Sequence, residues 1–354
     1  MSAYSKLDQR VHKVAFSSRM LQMSMADMED SMFSKDLKGI TGARPIFITS
    51  LPRAGTTILL TALAHVPGLA THLYRDMPFL MAPMLWNRLS KGFRKDSTLA
   101  ERAHGDGIQV GYDSPEAFEE VIWKAFWPDH YKGDGITLWT GADRNAEAEE
   151  FLRKHLCKII ALRCGPNAAE GRYISKNNGN VARIPLLRAI FPDADIVVPV
   201  RDPVTHAASL WRQHKNFLTQ HAEDPFVKRY MGDIGHYEFG QLHRPIQFPT
   251  LAARTDGTTP EDLDYWLGYW IAAFEHLQGL DDGILFVSHE AQRNDGLGEM
   301  TRLCDQLGLE PGAHLAEVAG EFTPLPDRPI AHELPADRVD HARALYQSLT
   351  GTSL

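Results

Sequence analysis

Short apolar runs recur along this chain, and longer segments whose apolar residues have helical spacing separate them. The four clearest runs cover residues 44–50, 172–176, 195–201 and 283–288, and each is predicted to form a buried strand. Strands with nearly continuous apolar character that alternate with helices are typical of a parallel sheet covered on both faces. The pattern therefore predicts an α/β fold with helices on both sides of a parallel sheet.

Three further segments have recognisable helical signals. Residues 113–116 (DSPE) and 259–262 (TPED) resemble helix starts, each followed by an apolar stripe. The first 40 residues are predicted to be a helical extension in which methionines recur with partly helical spacing. A helix packed on the protein's own core is favoured there over docking on a partner or a membrane. The methionines concerned are Met20, Met23, Met25, Met28 and Met32.

Two segments interrupt the alternation of strands and helices. Residues 77–171 are predicted to be a mainly helical insertion after the first β-α unit. Residues 222–257 are polar, rich in Gly, Pro and His, and without a clear period, which is typical of a lid or binding loop. We expect one domain over residues 1–354, with the acceptor side built from these two segments.

Composition removes several classes of function. The formal net charge of −8 argues against a broad nucleic-acid-binding surface. Three cysteines are too few for a disulfide framework, and the sixteen histidines have no metal-binding spacing, so no metal is expected. Neither a signal peptide nor a membrane span is recognisable, and we expect a cytoplasmic protein whose oligomeric state the sequence leaves open.

The strongest chemical signal is the predicted anion loop, the segment TSLPRAGTT (residues 49–57) between the first predicted strand and a helix. Backbone N–H groups at such a turn form an anion cradle together with the helix dipole. We expect Arg53, Ala54, Gly55, Thr56 and Thr57 to hold a phosphate or sulfonate. The loop is P-loop-like but lacks the P-loop lysine, since a threonine follows Gly55.

A second anion site is predicted in the segment VRDPVTHAASLW. Arg201 ends a predicted strand, and Ser209 lies two turns into the following helix. Ligands of open α/β sheets bind at the carboxyl ends of the strands, so both side chains can converge on one anion there. Two anion sites fit a nucleotide that carries phosphate groups at both ends.

These two segments resemble the donor-binding motifs of sulfotransferases that use 3′-phosphoadenosine 5′-phosphosulfate (PAPS). PRAGTT is similar to the family's 5′-phosphosulfate loop, and Arg201 with Ser209 reproduces the Arg and Ser, eight positions apart, that hold the 3′-phosphate. The resemblance covers about residues 45–64 and 173–211 and is closest to the bacterial and carbohydrate-type branch. It implies PAPS as donor and transfer without metal to a hydroxyl or amine of a small-molecule, lipid or carbohydrate acceptor.

The catalytic base is less clear from the sequence. The cytosolic branch has a Lys-Thr-His strand end whose His is the base, but Asn178 stands at that place here, and an amide cannot accept a proton. By likeness to carbohydrate-type relatives, Asp76 is the predicted base, with His72 and His65 as the alternatives. Catalysis is thus assigned to Arg53 and Asp76.

Two other functions stay open. A P-loop-type kinase or NTPase would share the fold but would need Mg-dependent ATP binding. A non-catalytic nucleotide-binding protein would keep the anion loop and have no base.

Overall fold

The computed structural model describes residues 6–90, 100–101, 109–111, 113–280, 283–320, 322 and 332–352. Within these residues a parallel five-stranded sheet has the order β2-β5-β1-β6-β7, and β3 pairs with β4 in a separate antiparallel ribbon. The strands are β1 (Ile46–Ile48), β2 (Leu69–Ala70), β3 (Ala100–Glu101), β4 (Gln109–Val110), β5 (Arg172–Lys176), β6 (Asp195–Val200) and β7 (Ile284–Ser288).

Helices connect the strands and extend the chain at both ends. Those before β5 are α1 (Lys6–Ala15), α2 (Arg19–Phe33), α3 (Thr56–Ala64), α4 (Pro83–Ser90), α5 (Glu120–Phe126) and α6 (Ala146–Cys164). Those between β5 and β7 are α7 (Ile184–Ile190), α8 (Pro203–Glu223), α9 (Pro225–Ile234), α10 (Leu251–Arg254) and α11 (Leu263–Gly279). After β7 come α12 (His289–Asn294), α13 (Gly296–Leu307), α14 (Leu315–Ala319) and α15 (Ala336–Thr350).

Both faces of the sheet are covered, as the apolar strands predict. Side chains of β1 alternate between the two sides, so Phe47 belongs to a core with α8 and α11 while Ile46 and Ile48 belong to a core with α3 and α13. All three side chains are at most 1% exposed. The predicted α/β class and the four predicted strands are therefore confirmed; β5 has the predicted bounds, and the other three are shorter than the sequence suggested.

The strand order places a topological switch at β1. From this central strand the chain first builds β2 and β5 on one side and then β6 and β7 on the other. Loops that leave β1 and β6 thus diverge at the carboxyl edge, which opens the crevice where ligands of such sheets bind.

Both helices predicted to open at residues 113–116 and 259–262 form, as α5 and α11, but they begin later than predicted, at Glu120 and Leu263. A turn closed by the Ser114 N–H on the Gly111 carbonyl precedes residues 115–116, which pair with the segment 72–74: Pro115 forms a β-bridge with Leu73, and the Glu116 N–H donates to the His72 carbonyl at 3.1 Å. Because those backbone groups are already paired, α5 begins only at Glu120. At residues 259–262, the Asp262 side chain accepts from the Thr259 N–H at 2.9 Å, so a turn precedes α11.

The segment 222–257 is more regular than its composition suggests. Its first part forms α9, where the Asp224 side chain caps the N-terminus and Gly235, at φ +84°, ends the helix. Met231 and Ile234 supply the buried face. The rest holds a short 3-10 turn (Gly240–Leu242) and α10.

The methionine-rich helix α2 has one side on the protein and one in solvent. Ala26 is 2% exposed and Glu29 is fully buried, where its carboxylate pairs with Lys158 at 3.0 Å. Met20 and Met28, in contrast, are 77% and 48% exposed. No helix in the described part of the chain is long and apolar enough to cross a bilayer.

Candidate functional site

The loop between β1 and α3 has an unusual backbone. Arg53 has φ +71° and Gly55 has φ +93°, so two residues within three positions are left-handed. Turns of this kind expose successive backbone N–H groups on a concave surface and form anion-binding nests. A left-handed non-glycine residue costs about 1 kcal/mol or more, so contacts elsewhere must hold Arg53 in place.

Both the backbone conformation and a neighbouring side chain require a glycine at position 55. A Cβ atom at this position would lie 2.8 Å from Cδ2 of His289, at the start of α12. Only glycine therefore allows the loop to pass this close to the imidazole ring.

Hydrogen bonds from Arg201, which follows β6, and from His206 on α8 hold the loop. Nη1 of Arg201 donates to the Arg53 carbonyl at 3.1 Å, and Nε2 of His206 donates to the Pro52 carbonyl at 2.7 Å. His206 accepts at Nδ1 from the Trp270 indole at 3.1 Å. These contacts fix the imidazole tautomer, and burial with nearby Arg201 lowers the pKa of His206 to about 3. His206 is thus a neutral clamp on the loop.

The two predicted motifs meet at their side chains. Arg53 donates from Nε to the Ser209 hydroxyl at 3.3 Å, across 156 positions of sequence. Ser209 is 7% exposed on α8. The loop after β1 and the helix after β6 therefore form one site at the sheet's carboxyl edge.

Arg53 and Arg293 both lie near Arg201, so three arginines belong to this site. Burial lowers the pKa of Arg201 to about 10, and the nearby positive charges of Arg53 and Arg293 add to that effect, against the carboxylate of Glu290. Nε of Arg201 is buried and has no hydrogen-bond partner among the described residues. Three guanidinium groups so arranged favour a bound anion, which would offset their mutual repulsion.

Glu290 and His289 of α12 organise the far side of the site. Glu290 accepts from the Asp202 N–H at 3.0 Å and from the Tyr346 hydroxyl at 2.8 Å. Burial would raise its pKa, but these bonds and His289 lower it to about 2. Arg293 donates from Nε to Nε2 of His289 at 2.9 Å. Sequence reasoning missed Arg293; its place one turn beyond β7, which lies next to β6, was the available signal.

Asp76 lies in a different environment. Its carboxylate is 2% exposed, accepts from Arg163 Nη2 at 2.6 Å and from the Leu73 N–H at 2.9 Å, and lies 3.3 Å from Nδ1 of His72. Burial opposes ionisation, yet His72 and Arg163 hold the pKa of Asp76 below its usual value. This is the geometry of a buried ion-pair network, and the predicted role as base stays a prediction.

The two alternative bases are also away from the anion loop's contacts. His72 is 2% exposed, and its Nε2 lies 2.9 Å from Nε2 of His155 on α6. His65 is exposed at the end of α3, where Nδ1 contacts the Thr61 carbonyl at 2.7 Å.

A cleft adjoins the anion loop. Leu51 and Pro52 form one wall and the end of β5 another, and the segment 235–246 closes it. Aromatic side chains of α11 and the segment 235–246 give it an apolar floor, and its polar residues include Lys176, Asn178 and Glu238. Its lining in full is Leu51, Pro52, Ala117, Glu120, Ile136, Lys176, Asn177, Asn178, Gly179, Gly235, His236, Tyr237, Glu238, Arg244, Ile246, Trp266 and Tyr269.

One buried ion pair supports the cleft from behind. Arg183 is fully buried and donates from Nη2 to both carboxylate oxygens of Glu120, at 2.7 and 2.9 Å. Its guanidinium lies between the indoles of Trp123 and Trp139, 4.7 and 4.5 Å from their ring centres. Glu120 also accepts from Asn177 at 2.8 Å and thereby fixes the end of β5.

Comparison with known proteins decides the family. A protein-family model with the description "Sulfotransferase family" matches residues 45–312 of the 354 residues of this chain. This chain belongs to the sulfotransferase family. The family predicted from the two motifs is thus confirmed, and the matched region includes the anion loop, α8, the cleft and α12.

One solved structure supports the fold of this sulfotransferase-family chain. It is similar, with a TM-score of 0.52 and 14% identity, to sulfotransferase STF1 from Mycobacterium tuberculosis H37Rv, over 98% of this chain and 87% of that one. For sulfotransferase STF9 from Mycobacterium avium the TM-score is 0.48 and the identity 15%, over 99% and 85% of the two chains. A comparison with curated proteins gave no match. At 14% identity the likeness to STF1 shows the fold alone.

The sulfotransferase-family site has no recognisable metal centre in the residues that the structure describes, where no group of His, Cys, Asp or Glu side chains could hold an ion. The free thiols Cys157, Cys164 and Cys304 lie apart from the anion loop, on α6 and α13.

Proposed function

We propose that this sulfotransferase-family chain transfers a sulfonyl group from PAPS to a hydroxyl or amine of a small-molecule, lipid or carbohydrate acceptor, in line and without a metal. The observation that carries the proposal is the buried, unpartnered Nε of Arg201 beside two other arginines, within the described residues. A desolvated cation with an unused donor fits a multiply charged anion such as a nucleotide 3′-phosphate.

The donor's two ends would lie on the two motifs. Arg53 and the backbone from Ala54 to Thr57 would hold the 5′-phosphosulfate at the N-terminus of α3. Arg201 and Ser209 would hold the 3′-phosphate, with Arg293 beside them. PAPS supplies a sulfonyl group on a phosphate leaving group, and Arg53 would stabilise the charge that develops there.

The acceptor would enter the cleft next to Pro52. Its aromatic and apolar walls suit a ring or an alkyl chain, and its polar residues suit hydroxyl groups, so the acceptor class stays as broad as the sequence predicts. For the base, Asp76 stays the residue predicted from the sequence. Because Asp76 is buried and pairs with Arg163, a residue that lines the cleft is an alternative candidate for the base.

The test is calorimetric titration without magnesium, with 3′-phosphoadenosine 5′-phosphate (PAP), ADP and ATP as ligands. We expect PAP to bind and ADP, which lacks the 3′-phosphate, to bind about 10- to 100-fold more weakly, the range of one or two charge-assisted hydrogen bonds. Arg201→Ala should abolish the difference between PAP and ADP. Arg302→Ala removes an exposed arginine of α13 and is the matched control.

Binding of ATP that requires magnesium and ignores the 3′-phosphate would contradict the proposal and favour a kinase or NTPase. Binding of PAP with no PAPS consumption in the presence of alcohols, phenols, amines and sugars would favour the non-catalytic alternative.

A further inference from the structure

The cleft holds a carboxylate that the donor site does not use. Glu238 lies in the segment 235–246, half-buried, and lines the cleft that also includes Leu51 and Pro52 of the anion loop. Its Oε1 accepts a hydrogen bond from Nδ2 of Asn178 at 3.3 Å. A carboxylate thus faces the strand end where the acceptor and the donor's sulfonyl group would meet.

The sheet register places this strand end beside the loop. Lys176, the last residue of β5, pairs with Ile48, the last residue of β1, and the Asn177 N–H donates to the Ile48 carbonyl at 3.0 Å. The anion loop leaves β1 directly afterwards. Asn178 and its partner Glu238 therefore lie at the same edge of the sheet as the loop, on the cleft side.

The backbone at Glu238 is held in place. Its carbonyl lies 2.6 Å from Nδ1 of His243, and the N–H of Gly240 donates to Nδ1 of His214 at 3.2 Å. His243 and His214 both have pKa values lowered to about 4 by burial, so both remain neutral near pH 7. A carboxylate on a fixed segment can be positioned within reach of an acceptor proton.

Glu120, the other carboxylate in the described lining of the cleft, has a different role. Glu120 pairs with fully buried Arg183 and accepts from Asn177. Proton transfer to Glu120 would leave the buried charge of Arg183 unpaired, which is strongly unfavourable. Glu238 contacts an amide instead, so a proton on it leaves no buried cation without a partner.

We infer that Glu238 is the general base of the transfer, an assignment that rests on the proposed sulfotransferase function. The acceptor O–H or N–H gives its proton to the Glu238 carboxylate while the acceptor's electron pair forms the new bond to sulfur. The bond between sulfur and the bridging phosphate oxygen breaks, and its electron pair leaves with that oxygen as PAP. The protonated Glu238 then returns its proton to solvent. Asn178 orients the carboxylate.

The experiment compares Glu238→Gln with Glu223→Gln, an exposed glutamate at the end of α8. PAP affinity is measured by calorimetry, and PAPS consumption is measured with alcohols and with p-nitrophenol, whose hydroxyl ionises without help near neutral pH. We expect Glu238→Gln to bind PAP within twofold of wild type and to lose about 100-fold or more of kcat with an alcohol or with water as acceptor. With p-nitrophenol the loss should be at least tenfold smaller.

Three results would overturn the assignment. Transfer to an alcohol at the wild-type rate would remove Glu238 from the chemistry, and Asp76→Asn, measured in parallel, would then test the sequence-derived base. Equal losses of kcat with the alcohol and with p-nitrophenol would indicate that Glu238 contributes to acceptor binding and not to proton removal. A loss of PAP affinity would indicate a damaged donor site. Failure of the wild-type protein to bind PAP is a separate outcome, because it contradicts the proposed function itself.

Discussion

Replacement of His206 by Phe tests how the anion loop is held in its left-handed shape. The substitution leaves the fully buried Trp270 indole N–H without its acceptor, which costs about 1–3 kcal/mol. It also removes the donor from the Pro52 carbonyl, a net loss of about 1 kcal/mol. We therefore expect the free energy of unfolding to fall by about 2–4 kcal/mol.

Binding should be affected separately from stability. Without the bond to Pro52, the strained conformation at Arg53 loses one of the contacts that select it, so part of the ordering cost moves into ligand binding. One net hydrogen bond is worth about 1 kcal/mol, which corresponds to a roughly fivefold weaker Kd for PAP. His206→Gln can donate to Pro52 and accept from Trp270, and it should recover most of both losses.

The assay is denaturant unfolding together with calorimetric PAP titration of wild type, His206→Phe, His206→Gln and Trp270→Phe. If His206→Phe loses stability but binds PAP as wild type does, His206 supports the core and does not position the loop. If His206→Gln behaves like the Phe variant, the two hydrogen bonds are not the cause.

The same side chain gives a pH signature. An unfolded histidine has a pKa of about 6.5, whereas folding lowers that of His206 to about 3. Between these values the unfolded chain binds a proton that the folded chain does not, so stability should rise with pH across this window. In His206→Gln the rise should be shallower, and an unchanged slope would contradict the burial of a neutral imidazole.

Two further predictions use matched pairs of variants. Gly55→Ala should weaken PAP binding at least tenfold, because the added Cβ would clash with α12. Gly68→Ala is the control: this residue is also left-handed but lies in open space, so the substitution has the same backbone cost and should leave PAP binding unchanged. Calorimetric titration with PAP measures both. Arg183→Met should lower the free energy of unfolding by about 3–5 kcal/mol, because it leaves Glu120 buried and unpaired. Arg302→Met, in an exposed pair, should lower it by less than about 1 kcal/mol. Equal losses for the two variants in denaturant titrations would refute the argument.

The fold could be predicted where single segments contain the information. The strand at 195–201 is apolar throughout, so its prediction needed no knowledge of its neighbours, and the order of motifs placed the anion loop at a strand end. β2 was missed because it has two residues and depends on pairing with β5. The helix start at 113–116 failed for the same reason, since a distant segment takes up its backbone groups.

The site could be predicted only as far as its motifs extend. Arg53, Arg201 and Ser209 could be predicted as site residues because a loop and a helix start are local patterns, yet the contact between Arg53 and Ser209 spans 156 positions. Glu238 follows α9 in a segment of no clear period, and nothing local relates it to Asn178, 60 positions earlier. Arg293 is one arginine among many until β7 is placed beside β6.

The local charges of the site are compatible with the proposed anionic donor although the net charge of the chain is −8. Arg201 is partly desolvated next to Arg53 and Arg293, and this repulsion destabilises the protein without a ligand. Glu290 offsets part of it and at the same time holds the start of α8 through the Asp202 N–H. Two carboxylates, Glu290 and Asp202, lie beside the three guanidinium groups, so positive charge is still in excess among the groups that act on Arg201. Under the proposed function, an anionic donor would be attracted by this local excess even though the chain as a whole is acidic. The local charge, and not the net charge, would then decide which ligand binds.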